Sequence, residues 1–254
     1  MSVESYLASV QRVVRWAIRD LTKIMSRVDL GDPDAARDLL QAEMPSMIAV
    51  WGEAAATIAA EYFEELIDAP AVLAEPVAPE AVESMVGWAV GPLYGAKNDD
   101  GTVTPPDPAK FRRNMQGGVQ RHVMNTGRNT IRYNSESREG VAWARVLQGE
   151  ENCAFCVVLA SRGGIYDTAQ TAGGQSETDE RVLLGDRFHS HCDCAVIPIR
   201  NERDFPTGYD PDKYYDMYLA ARRNASDHPE LGYKTLKGGD NNILMQMRQM
   251  YGMK

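Results

Sequence analysis

Leu7, Val10, Val14, Ala17, Leu21 and Ile24 alternate steps of three and four residues, the seam of a helix packed lengthwise on another. The seam lasts only about three heptads, which predicts an intramolecular helical hairpin rather than a free coiled coil. Gly31 and Pro33 then break the pattern, with Asp32 placed to cap a second helix that has Pro33 in its first turn. Pro45 is expected to kink or restart that helix. Beyond it Met47, Trp51, Ala54, Ile58, Tyr62 and Leu66 form an apolar stripe, read as core. The Pro- and Ala-rich passage 68–79 reads as a linker or short-helix region, 82–93 as a short helix, and the Gly/Pro/Asp-rich stretch 97–108 as a loop. A long basic helix follows, with Phe111, Met115, Val119, Val123 and Thr126 on its inner side. Gly117 and Gly118 in its middle are consistent with a close helix–helix approach, a kink or simple tolerance.

From Val141 the texture changes to shorter elements: VAWARVL, CAFCVVL, a Gly/Thr/Ser-rich loop from Gly163 to Thr178, and the strand-like CAVIPI. Helical patterning returns at 214–223 and 243–250, with an exposed connection between them. No internal repeat is visible. The expected class is α+β and predominantly α-helical. A helical domain over 1–140 precedes a small α+β metal-binding module over 141–205 and a C-terminal helical extension over 206–254.

Composition narrows the functional classes. The chain has 254 residues and a formal net charge of -9, which argues against a general nucleic-acid coat. No run of about 18 apolar residues occurs, so no membrane-spanning helix is expected. The N-terminal stretch lacks a basic start and an apolar core, so it does not read as a secretory signal, and a reducing cytoplasm is expected during folding. Charge is nonetheless uneven. Lys110, Arg112, Arg113, Arg121, Arg128, Arg132, Arg138 and Arg145 face only Asp107, Glu136 and Glu139, which leaves 107–148 at about +5. This stretch is either a solvated helix face paired within its own chain or a docking surface for an acidic partner or DNA phosphates. The docking candidates are Lys110, Arg112, Arg113, Arg121, Arg128 and Arg132.

The chemistry concentrates in the short-element module. All four cysteines fall in two pairs, C-A-F-C at Cys153/Cys156 and C-D-C at Cys192/Cys194, with His189 and His191 just ahead of the second pair. C-x-x-C lets a turn aim two thiolates at one ion, and an extended C-x-C projects both side chains to one side. An all-cysteine zinc site and one of three cysteines plus a histidine rank equally, so at least one histidine is a bystander. A redox pair, two disulfides and buried unliganded thiols are the competing states. A catalytic zinc keeps an open position, whereas six candidate ligands of mostly sulfur describe a saturated, structural site. A module of about 60 residues has a marginal core, and a metal joining its two ends would supply stability.

The order C-x-x-C, a variable loop, then H-x-x-C-x-C running into an apolar strand resembles the C-terminal motif of the MuF-like phage minor head proteins. Here it comprises Cys153, Cys156, His189, Cys192 and Cys194, followed by AVIPI. The wording CAFCVVLASRGGIY and FHSHCDCAVIPI looks especially like minor capsid proteins of phages that infect actinobacteria. The resemblance implies a structural virion protein at the portal vertex and head interior, made in the host cytoplasm. Its implied partners are portal or major capsid protein and genomic DNA, with no membrane and no small-molecule substrate. The family motif often reads H-P-x-C-R-C, whereas Ser190 and Asp193 stand here, which removes a positive charge beside the metal. Two other classes remain: an enzyme, nuclease or ADP-ribosyl transferase-like, for which only Glu150 and Glu151 are candidate acids, and a DNA-binding zinc module. No recognisable catalytic set appears, so a non-enzymatic role is expected.

Overall fold

The computed structural model describes residues 1–148, 152–163, 191–228 and 240–253. The expectations placed on Glu150, Glu151, His189 and the loop beyond Gly163 lie outside these residues. The described chain is predominantly helical, with two small antiparallel sheets of two strands each, the helical α+β class expected. It divides into two units. One comprises Met1–Tyr133 with Gly185–Cys192, the other Asn134–Leu184 with Asp193–Lys254.

In the first unit α1 (Val3–Met25) packs on α2 (Pro33–Ile67). Leu7, Val10, Val14, Ala17 and Leu21 are buried as the seam requires, and Tyr6 stacks on Tyr62 with ring centroids 4.4 Å apart. Asp32 caps α2 by accepting the Ala35 N–H at 3.0 Å. The helix then runs unbroken through Pro45, correcting the expected restart: Leu40, Met44 and Ile48 are buried on either side of it, which offsets the lost hydrogen bond. The inward face is also different from the expected stripe. It follows Ala36, Leu40, Met44, Ile48, Gly52, Ala55, Ala56 and Ala59, whereas only Tyr62 of the predicted set is buried. Small side chains let backbones approach closely, so between Gly52 and Ala60 the alanines turn inward while Trp51 and Ile58 flank them, and Phe63 is buried beyond.

After an extended stretch come α3 (Pro79–Val90), a 3₁₀ turn (Gly91–Tyr94) and a small hairpin of β1 (Ala96–Lys97) and β2 (Val103–Thr104). The hairpin adds structure to a passage expected to be loop. Asp107 starts α4 (Pro108–Glu136) by accepting the Lys110 N–H at 2.8 Å. Phe111, Met115, Val119, Val123 and Thr126 are buried as expected. The close approach, one of the readings of the mid-helix glycines, is present. A Cβ on Gly118 would lie 2.4 Å from Met85 Sδ, and one on Gly127 would lie 2.9 Å from the Ala55 carbonyl oxygen.

In the second unit β3 (Ala142–Val146) pairs antiparallel with β4 (Ala195–Ile199), in register from Ala142↔Ile199 to Val146↔Ala195. Pro198 is tolerated because a two-stranded sheet does not need a ladder donor on both sides. Helix α5 (Ala154–Ala160) packs with α6 (Pro211–Asp227) and α7 (Asp240–Tyr251). Their small core is Ala154, Val157, Ala221 and Met247, flanked by Tyr214, Met217, Ile243 and Leu244.

Candidate metal centre

Strand pairing places the thiols. Because Ala195 sits opposite Val146, the start of β4 lies beside the end of β3. Cys194 immediately precedes β4, and the chain leaving β3 soon turns into α5, whose N-cap is Cys153 and whose first turn holds Cys156. The two cysteine pairs, distant in sequence, therefore meet at one end of the sheet. The sulfurs of Cys156, Cys192 and Cys194 all lie within 4.8 Å of one another, and all three residues are buried. No disulfide joins any of the four cysteines.

These three fit a tetrahedral thiolate site. Zinc–sulfur bonds of about 2.3 Å put sulfurs about 3.8 Å apart, so a contraction of at most about 1 Å brings the trio onto one ion. Cys153 is outside that tight group and half-buried. Its sulfur accepts the Cys156 N–H at 3.2 Å, the capping contact that folds C-x-x-C into a turn. His191 is exposed and is not among the grouped ligand atoms of the described residues. Its backbone is left-handed, with φ 63°, immediately before Cys192.

Two buried arginines attend the cysteines. Arg145, at the fourth position of β3, points its Nη1 at the Cys156 sulfur, 3.9 Å away. Arg128 donates from Nη2 to the Cys192 carbonyl oxygen at 2.8 Å and from Nη1 to Asn125 Oδ1 at 2.9 Å. Neither contact was foreseen from sequence. The available signal was an arginine inside the otherwise apolar run VAWARVL, which a buried strand does not accept without a polar reason.

The basic helix divides by depth. Lys110, Arg112 and Arg113 are exposed and Arg121 is half-buried. Arg128 and Arg132, at 3% and 4% exposure, are interior residues rather than members of the outer face expected of them. The helix carries them inward because α4 is enclosed through most of its second half, from His122 to Ser135. Among the buried polar residues is His122. Burial, with the adjacent Arg121 guanidinium adding to it, pushes its imidazole down to about 4, so the ring is neutral at pH 7. No described helix is long and apolar enough to cross a membrane.

Residues 1–221 match the family model described as VG15 protein. The chain is similar to the Gene 15 protein of Mycobacterium phage D29, with 26% identity over a match covering 42% of this chain and 46% of the relative. It is also similar to the Gene 15 protein of Mycobacterium phage L5, with 24% identity over 42% of this chain and 45% of the relative. The chain thus spans about half the length of the curated relatives it matches. No solved structure matches it.

Proposed function

The chain belongs to the VG15 protein family and is a phage protein, and from that premise we propose that it is a structural minor head protein of the MuF-like type, acting at the portal vertex without catalysing a reaction. The observation that carries this reading is the convergence of Cys156, Cys192 and Cys194 at the meeting point of the C-x-x-C and C-x-C pairs. That ligand order is the one by which the chain resembles MuF-like proteins. Zinc is the proposed metal, since buried sulfur ligands suit a soft, redox-inert ion. The cysteine pairs flank the long segment between α5 and β4, so an ion held by them would close that segment at its base. With Cys153 or His189 completing the set as fourth ligand, the ion would be saturated and would stabilise rather than activate water.

The docking surface is proposed at the exposed start of α4, where Lys110, Arg112 and Arg113 offer positive charge to an acidic face of the portal or major capsid protein, or to DNA phosphates. The expected location is the virion head. The test is quantitative mass spectrometry of gradient-purified particles. The protein should copurify with heads at a fixed low ratio to the major capsid protein, and the K110E/R112E/R113E variant should fall several-fold in that ratio. Particles lacking the protein, while infected cells contain it abundantly, would overturn the reading.

A further inference from the structure

A guanidinium stays charged under all conditions a protein meets, and Arg145 holds one at 3% exposure on a strand whose neighbours Trp143, Ala144 and Val146 are also buried. Burying that cation costs several kcal/mol unless negative charge lies close by. Across the sheet it pairs with Val196, and its Nη1 reaches the sulfur of Cys156 at 3.9 Å. A neutral thiol is a weak acceptor, whereas a metal-bound thiolate keeps much of its negative charge and accepts N–H donors well. Zinc held by three thiolates carries a net charge of about -1, and by four about -2, so a buried centre of this composition calls for a cation beside it. β3 sets the position: Arg145 lies one residue before Val146, which pairs with the residue after Cys194.

We propose that Arg145 is a positioning residue of the cysteine centre, donating to the Cys156 sulfur and supplying the buried positive charge that makes a thiolate-rich metal site tenable in the interior. The proposal rests on reading the cysteines as metal ligands.

Cobalt(II) provides a readout that a merely structural role would not move. Wild-type protein titrated with cobalt under reducing conditions should develop tetrahedral visible bands and a near-ultraviolet sulfur-to-cobalt charge-transfer band. Removing a hydrogen bond from a ligand sulfur raises the energy of its lone pairs, so R145M should shift the charge-transfer band to longer wavelength. Zinc affinity, measured by chelator competition, should fall about 10- to 100-fold, as it does when outer-shell partners of metal ligands are lost. If R145M does not fold by circular dichroism, R145Q carries the comparison, because it keeps a polar side chain and loses the charge. Band position and affinity equal to wild type in a folded variant would overturn the role of Arg145 while leaving the metal reading intact. A wild-type protein with no tetrahedral cobalt spectrum would overturn both.

Discussion

His122 is 4% exposed on the enclosed part of α4, and its imidazole titrates near 4 rather than near its ordinary 6.5. Burial is the larger cause, and the Arg121 guanidinium, whose Nη2 lies 3.3 Å from His122 Nε2, is the second. A ring that resists protonation in the folded state but not in the unfolded chain makes the unfolded chain bind more protons between those two values. Stability from this residue is therefore complete above about pH 6.5 and is lost as pH falls toward 4. At pH 5 the linkage relation gives a loss of about 2 kcal/mol, and below pH 4 about 3 kcal/mol. The perturbation is H122Q, which keeps a neutral polar side chain of similar reach. Urea unfolding at pH 7 and pH 5, extrapolated to water, measures both proteins under both conditions. Other groups also titrate in this range, so the decisive quantity is the difference between the two drops. Wild type should lose about 2 kcal/mol more than H122Q. Equal drops would refute the neutral, buried state assigned to His122.

Two further predictions concern backbone geometry. G127A should destabilise the protein by about 1–2 kcal/mol despite its gain in helix propensity, because the new methyl meets the Ala55 backbone, 2.9 Å away, which cannot swing aside. G118A should cost less, since its neighbour is the flexible end of Met85; thermal unfolding of the pair checks the order, and a harmless G127A would contradict the close crossing. H191G should leave metal content unchanged and raise stability by up to about 1 kcal/mol, because glycine accepts the left-handed φ of 63° that histidine adopts at some cost. Elemental analysis of H191G checks it, and loss of the metal would make His191 a ligand.

How far the fold could be read depended on whether the signal was local. The α1 seam was legible because its large aliphatic chains are its buried chains. The α2 face was not, because a periodicity read by side-chain size passes over alanines that bury themselves by letting backbones approach. The start of α2 at Asp32–Pro33 was visible, and the same Asp-Pro pair opens α4 at Asp107–Pro108 and α6 at Asp210–Pro211, where Asp210 accepts the Lys213 N–H at 2.9 Å. At the cysteine centre, spacing shows which residues can act as hooks but not which sulfurs converge. That depends on the β3–β4 register, a pairing between segments about 50 residues apart. Charge counting along α4 and β3 found the sign of Arg128, Arg132 and Arg145 but not their depth, because burial is a property of the elements packed around them.

The most direct test of the account is the metal content of protein purified under reducing conditions, paired with thiol titration before and after a strong chelator. About one zinc per chain is expected, with slow-reacting cysteines while the metal is bound and rapid titration of all four once it is removed. Metal-free, folded protein in which all four cysteines react freely from the outset would contradict it.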